Sequence, residues 1–460
     1  MIAQQALASL WSGSELPGEA LDDVVLTGAD PFLPSSFRIG TAASVSIAAA
    51  ALAAAALWRL RTGRRQSVSV SMRHACAEFQ SERLITVDGR RPADDPGGIA
   101  GLYATKGGWV RVHAQFPHHR DGIVRLLDGA DTKAAVATKL RAVDAVVFED
   151  AAAAAGLAVT ALRSFAEWDA HPQGSAVPSL PLVSITRIGE APAEMLPDTD
   201  RPLRGVRVLD LTRVIAGPVC GRTLAAHGAD VLAITGPGLP SFRICDLGRG
   251  KRQAQLDLRL AEGRARLVEL VREADVFVQG YRPGAIAAHG FGPLDTSRLR
   301  PGIVHASLSA YGTAGPWAAR RGFDSLVQTA SGFNVAEAAA FGQATPRPLP
   351  VQALDHATGY LLAFGIMAAL HRRATEGGSW HVEVSLARTG SWIRGLGVVD
   401  GVARPDQTEA DCADLFETTP SGFGVMRAIS HAGLLSETPP AWVRPSVPLG
   451  HDPACWTSLR

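Results

Sequence analysis

Neither sign of charge prevails in this chain: 45 Lys and Arg residues stand against 44 Asp and Glu residues, a formal net charge of +1. Such a balance argues against a polyanion as the main partner, so neither nucleic acid nor an anionic membrane is expected. Cysteine is sparse. The five cysteines, Cys76, Cys220, Cys245, Cys412 and Cys455, are scattered and form no C-x-x-C pair. That argues against a disulfide framework or a zinc site, so no metal is expected, and it favours a reducing cytoplasm. Long apolar runs are nearly missing too. The one candidate, Ala42–Trp58 (AASVSIAAAALAAAALW), is mostly alanine and falls short of the roughly 20 strongly apolar residues a bilayer requires. It reads as a buried helix. A signal peptide fits poorly, because no Lys or Arg precedes Arg38. There is ample material for a core. Hydrophobic residues make up 47% of the 460 positions and charged residues 19%. These are values of a soluble globular protein, and the length implies two or three domains.

The stretch Leu349–Tyr360, LPVQALDHATGY, sets one carboxylate, Asp355, just before the apolar run LLAFGIMAAL. An acid there is either a helix cap, accepting from the first free N–H groups, or a carboxylate held where water is scarce and a reactive partner reaches it. A repeat bears on the choice. AAALAAAALWRLRTGRRQSVSVSM, ending at Met72, and LLAFGIMAALHRRATEGGSWHVEVSL, ending at Leu386, each run an Ala-rich helix through a basic turn into an alternating strand. Where the second unit has Asp355, the first has Gly40, Thr41 and Ala42. Only the second unit is fit for carboxylate chemistry.

The remaining chain divides by composition. Residues 1–35 carry no assignable pattern, and 36–99 hold the first helix–turn–strand unit. Residues 100–190 read as a small α+β domain, with a hairpin turning at Lys106-Gly107-Gly108, three helices, and a closing strand in LPLVSITRIG. Residues 191–202, APAEMLPDTDRP, read as a linker. From 203 to 400, strands alternate with helices, as in an α/β domain with a Rossmann-like parallel sheet. Residues 401–460 are a proline-rich closing segment.

In the α/β part, VIAGPVCG follows a strand and opens a helix, a place where free N–H groups and the helix dipole suit phosphate. GRGKRQAQLDL brings Arg249, Lys251 and Arg252 to a strand start, and YRPGAIAAHGFG sets Arg282 on a Gly-Pro turn. Singly these are ordinary surface charges; together at strand ends they suit a polyphosphate.

GVRVLDLTRVIAGPVCGRTLAAHGADVLAI, GKRQAQLDL, ADVFVQGYRPGAIAAHGFG, HASLSAYG and LDHATGYLLAFGIMAALHRR, in that order, closely resemble the family III CoA-transferases. That group includes formyl-CoA and carnitine CoA-transferases and the α-methylacyl-CoA racemases. Residues 36–185 are similar to the later part of the same family, so the chain reads as fused or permuted partial copies. In it, the second copy passes from its large domain to the closing segment with no small domain between. The resemblance implies that Asp355 is the catalytic nucleophile, that Val214, Ile215 and Ala216 lie along CoA, and that Lys251 and Arg252, with Arg282 nearby, stand at its phosphates. It implies an acyl-CoA thioester and a free carboxylic acid as substrates, no permanently bound cofactor, and a homodimer. The oxyanions formed on the way suit backbone N–H donors near Gly359 or in a neighbouring loop. Two features depart from the family pattern: Ala288 stands where some members carry an arginine, and the loop after Ile234 lacks the usual acid. The family racemases carry a histidine in a Gly-His-Asp triplet, and here the triplet is Gly322-Phe323-Asp324. Phenylalanine moves no proton, which disfavours racemisation. A non-catalytic CoA-binding subunit is the remaining alternative. His356, beside Asp355, reads as structural.

Overall fold

The computed structural model describes residues 2–92, 98–196, 199–239, 243–399 and 405–457. The first 35 residues, unassigned from sequence, contain helix α1 (Ile2–Ser12) and strand β1 (Val24–Thr27). Helix α1 buries Leu7 and Trp11. Alanine, the strongest helix former, with almost no side-chain bulk, lets α2 (Ile39–Thr62) run through the interior with nearly every residue buried. Gly63 ends it at φ 71, its N–H returning to Arg59 O, a left-handed cap suited to glycine. Strand β2 (Val68–Ser71), short helices α3 (Met72–Glu78) and α4 (Ser81–Leu84), and strand β3 (Thr86–Val87) follow.

A small unit comes next. Strands β4 (Gly101–Thr105) and β5 (Gly108–Val112) form the expected hairpin, and helices α5 (Pro117–Leu126), α6 (Lys133–Leu140) and α7 (Ala145–Ala154) lead to β6 (Val159–Ala161). β6 pairs antiparallel with β5. The unit has its own core around Ile99, Val110, Ile123, Val136 and Phe148. Helices α8 (Phe165–Ala170) and α9 (Pro172–Ala176) then reach β7 (Ser184–Gly189). That strand, read from sequence as closing the small domain, is instead the edge of the large sheet. It pairs antiparallel with a strand almost 200 residues later, which local pattern cannot reveal.

The α/β part contains β8 (Arg207–Leu211), α10 (Ala216–Ala226), β9 (Asp230–Thr235), α11 (Ile244–Leu247), β10 (Lys251–Gln255), α12 (Ala261–Arg272), β11 (Val276–Gln279), α13 (Pro293–Leu299) and β12 (Val304–Ser309). After them come α14 (Asp324–Ala330), α15 (Phe333–Ala340), α16 (Ala353–Glu376), β13 (Ser379–Ser385) and α17 (Leu386–Gly395). The sheet has seven strands in the order β10-β9-β8-β11-β12-β13-β7. All neighbours are parallel except β13 and β7. Strands such as β9 and β11 are buried along their whole length, as expected where helices cover both faces. The fold class is α/β with a largely parallel sheet beside smaller α+β units.

The tail corrects one reading. Rather than passing straight into a closing segment, the chain forms a hairpin, β14 (Phe416–Ser421) and β15 (Gly424–Ile429), which pairs with β3 of the first copy, and then β16 (Leu434–Leu435), which pairs with β2. Alternation in FETTPSGFGVMRAI is interrupted by Pro and Gly, which masked the strands.

The internal repeat extends into three dimensions. Helices α2 and α16 each have 24 residues. Their starts differ by 353 − 39 = 314 positions and their ends by 376 − 62 = 314. The residues before them match in conformation, Arg38 at φ −78, ψ 60 and Gln352 at φ −77, ψ 64. Each helix feeds a strand with one parallel and one antiparallel neighbour, β1-β2-β16 and β12-β13-β7. The two helices pack against each other. Both are long and apolar enough, by length and composition, to cross a membrane, and the most apolar stretch of each is wholly buried in this fold.

Candidate active site

Asp355 lies in the first turn of α16 with 7% of its surface exposed. It does not cap the helix: the N-cap is Gln352, and no side chain of α16 itself closes that end. Asp324, at the start of α14, does so instead, its Oδ2 accepting the Asp355 backbone N–H at 2.9 Å. The repeat uses the same device in its first copy, where Asp30 accepts from Gly40 N at 3.0 Å and from Thr41 N and Oγ1 at 2.9 and 2.6 Å. In that copy Thr41 stands in the slot of Asp355, so the helix start is capped but carries no second carboxylate.

Two carboxylates thus share one dry corner. Burial raises the Asp355 pKa well above the carboxylate range, and the nearby Asp324 charge adds to this, while Arg243 pulls the other way. Burial also lifts Asp324, to about 6, against the hydrogen bonds it accepts from Asp355 N and Gln328. Asp324 is the member with donors on both oxygens, so when the pair binds a single proton it sits on Asp355. Glu82, from the first copy, closes the far side. Burial alone would raise it, but His356 and Arg243 hold it below its ordinary value. Its carboxylate meets His356 Nε2 at 3.0 Å and Arg243 Nη1 at 3.7 Å. His356 is therefore a structural partner of Glu82, stacked on Phe79 at 5.1 Å. His113 of β5's end lies flat on Phe323 at 3.5 Å. Burial, with His119 next, drives its pKa well below the ordinary histidine value, so the ring is neutral.

Beside this corner is a cleft of about 370 Å³ whose walls include Val214, Tyr281, Arg282, Arg320 and Phe323, with Arg213 and Arg321. Burial and the nearby Arg282 and Arg213 charges depress Arg321, which shows three cations converging. Val214 and Ile215 fill the turn between β8 and α10, and Ala216 opens α10. Val214 has φ 73, a conformation that strains a β-branched residue by about 1–3 kcal/mol. The turn leaves the interior strand β8 and brings Val214 to the cleft wall, while Ile215 and Ala216 are buried behind it and do not line the cleft. Ala288, on an exposed turn after Arg282, contributes no charge.

Lys251 and Arg252 do not line this cleft, but Lys251 lines a smaller cavity that shares Phe116, Arg213 and Val214 with it. Both are buried. Lys251 Nζ donates to Asp210 Oδ2 and Pro218 O, each at 2.8 Å. Arg252 meets Asp230 Oδ2 at 3.0 Å. Their charges are paired inside the fold, as buried ions require. Gly359 also departs from expectation. It sits in the second turn of α16, its N–H committed to the helix ladder, and a Cβ there would lie 2.4 Å from Ala216 O. It serves close packing of α16 on α10. Lys251→Met leaves Asp210 buried and unpaired, which should lower stability by about 3–5 kcal/mol. Urea unfolding measures this, with KM for a CoA thioester unchanged in the folded fraction.

Sequence reading missed Asp324 as a site residue, although it lay in the Gly322-Phe323-Asp324 triplet, and Arg321 directly before it. Glu82, Arg243, His113 and Arg213 gave no signal, since they reach the site from distant segments.

The profile of CoA-transferase family III matches residues 26–194 and 203–423. The chain belongs to this family. Its match falls in two segments, one for each partial copy. Acetyl-coenzyme A transferase nodX of Hypoxylon pulicicidum is 35% identical over 207 residues, 44% of this chain and 35% of that protein. A probable fatty acyl-CoA transferase of Mycobacterium tuberculosis is 32% identical over 201 residues, 40% of this chain and 50% of its own length. A crystal structure of that mycobacterial protein aligns with TM-score 0.39 and 31% identity over 42% of this chain and 57% of that one. The chain spans about a third to a half of the length of these curated relatives.

Proposed function

We propose that this CoA-transferase family III member moves CoA from an acyl-CoA thioester to a free carboxylic acid through acylation of Asp355. The observation that carries the reading is a buried carboxylate with no hydrogen-bond donor on its own oxygens among the described residues, beside a cleft of converging arginines. An Asp355 oxygen attacks the thioester carbonyl, the C–S bond breaks, and CoA leaves as a thiolate. The thiolate then attacks the Asp355 carbonyl of the mixed anhydride, releasing the first acid and leaving an aspartyl-CoA thioester. The acceptor carboxylate reverses these steps. Water would destroy the anhydride, so the dry setting has a chemical purpose. Names of relatives, among them a succinate–glutarate CoA-transferase of Agrobacterium fabrum, support the substrate classes. The test is trapping. With acyl-CoA and hydroxylamine, mass spectrometry should find Asp355 as a hydroxamate; acyl exchange with no adduct there would end the proposal.

Arg213, Arg282 and Arg321 hold the CoA phosphates in this reading, in place of Lys251 and Arg252. Arg321→Glu should raise KM for the thioester about tenfold, the loss of one charge-assisted contact, with a smaller change in kcat and a weaker salt dependence of KM.

His113 against Phe323 supports a second reading, epimerisation at the α-carbon, since it brings an imidazole to the triplet that lacks one. Transfer alone predicts no deuterium washed into a 2-methylacyl-CoA from heavy water. The five unpaired cysteines suit a reducing cytoplasm. Assembly is proposed as a homodimer. Sedimentation at a mass near 48.3 kDa would instead mean that pairing of the two copies within one chain replaces it.

A further inference from the structure

We propose that Ser307, His381 and Glu383 form a second acyl-transfer site, a serine hydrolase centre acting on small carboxylic esters and thioesters. The site occupies its own cavity of about 350 Å³ near the carboxyl ends of β11, β12 and β13, the end of a parallel sheet where ligands bind. It shares Tyr281, Pro283, Leu308 and Ser309 with the arginine cleft, and Asp355 lines neither cavity.

Strand register places the three residues together. Ser307 lies opposite Glu383, and His305 opposite His381, on the parallel pair β12 and β13. Alternation sends His381 and Glu383 to one face. Ser307 Oγ is 2.9 Å from His381 Nε2, and His381 Nδ1 is 3.7 Å from Glu383 Oε2.

The direction of each hydrogen bond follows from the neighbours. Gln279 Oε1 accepts the Tyr281 N–H at 2.9 Å, so its Nε2 is the donor to Ser307 Oγ at 2.9 Å. Ser307, having accepted from Gln279, has its own proton available for His381 Nε2. In that arrangement the neutral ring carries its hydrogen on Nδ1, on the side of Glu383. Burial keeps this ring in the base form, with a pKa lowered to about 4. A second imidazole points to a ligand. Thr296 Oγ1 gives its proton to Gly292 O or Pro293 O, so it accepts from His305 Nδ1 at 2.9 Å. His305 Nε2 is left as a buried acceptor without a partner, on a ring that lines the cavity. An unsatisfied acceptor of this kind calls for a donor from a bound molecule or water. Leu180 and Ile286 give the cavity an apolar wall for a short acyl chain.

In the reaction, Ser307 Oγ bonds to the carbonyl carbon and its proton passes to His381 Nε2. The bond to the leaving oxygen or sulfur breaks, and the leaving group takes that proton. Water then attacks the acyl-serine, gives a proton to His381, and the acid departs as Ser307 regains its hydrogen. The free Gln279 Nε2 hydrogen is a donor for the oxyanion.

The test treats the full-length protein with a fluorophosphonate probe and maps the labelled peptide, while p-nitrophenyl acetate reports hydrolysis. Neither reagent contains CoA, so the result is separate from that at Asp355. Labelling is expected on Ser307 and absent in Ser307→Ala. His381→Gln, which keeps the size and polarity of the ring, should slow labelling and hydrolysis by about 100-fold or more, with an unchanged circular dichroism spectrum. Absence of label in the wild type, label on another residue, or full-rate labelling of the His381 variant would overturn the proposal.

Discussion

Asp355→Ala should slow CoA transfer by about 10⁴-fold or more and eliminate the hydroxylamine adduct, in a protein that still folds. The magnitude follows from the role: with the nucleophile gone no anhydride forms, and binding in the arginine cleft alone gives no covalent route. The isosteric Asp355→Asn should be equally inactive yet more stable than the wild type at neutral pH, by about 1 kcal/mol. The sign comes from linkage. Burial, with the Asp324 charge behind it, raises the folded-state pKa of Asp355. The folded protein therefore holds this proton more tightly than the unfolded chain. Stability falls as pH rises from the ordinary carboxylate value of 3.8 toward the raised one, and ionised Asp355 then destabilises the fold. The gain in the Asn variant should grow across that interval and be constant above it. Activity runs the opposite way. Only the carboxylate attacks, so the rate is lost as pH falls through the raised pKa. Asp324→Asn removes the like charge while keeping an oxygen for the Asp355 N–H, and should move this acidic limb to lower pH. A pH–rate profile that fell through the ordinary aspartate range and was unmoved in Asp324→Asn would show that the pair is not coupled in the working enzyme.

The parts of this site differed in how plainly the sequence displayed them. Asp355 was legible because an acid at the threshold of an apolar helix breaks the local pattern, and because the repeat supplied a control, Gly40, Thr41 and Ala42, with no acid in the corresponding place. The α/β alternation after Leu203 was legible for the same local reason. What stayed hidden was pairing across long separations. Arg252 and Lys251 were read as a phosphate-side pair; a sequence records their charge but not the buried Asp210 and Asp230 they pair with. β7 looked local to the small domain because nothing in SITRIG tells which sheet edge it joins. Glu82 was invisible, although it fixes both His356 and Arg243, because it comes from the other copy, more than 270 positions away from the histidine. That same separation makes the two copies interdependent: one supplies Asp355, and the other helps set its electrostatics.

The joint between the copies yields a second large expected effect. Asp246 lies fully buried between two arginines. It accepts from Arg222 Nη1 at 2.8 Å on both oxygens, from Arg249 Nη2 at 2.5 Å, and from Ser81 Oγ at 2.6 Å. Arg222 also meets Glu78 of α3 at 3.4 Å, and Arg249 holds Ile429 O of β15 at 2.7 Å while lying over Trp442 at 4.0 Å. One carboxylate thus joins the first copy, the α/β part and the tail. Asp246→Ala takes from two buried guanidinium groups the anion they share, leaving Arg222 with Glu78 and Arg249 with Glu417 at 3.4 and 3.2 Å, and should lower stability by about 3 kcal/mol. Burial alone would raise the Asp246 pKa, but Arg222 and Arg249 overcome it and hold the group at about 2, against 3.8 when unfolded. For a depressed carboxylate the contribution is fully present above 3.8 and is lost as pH falls through about 2; that part amounts to roughly 2.5 kcal/mol. Urea unfolding as a function of pH separates the two terms. The gap between wild type and Asp246→Ala should be constant from pH 7 down to about 4 and narrow below that, as the wild type loses the charge its arginines require. A gap that stayed constant down to pH 2 would mean that Asp246 acts through packing rather than as the anion of the joint.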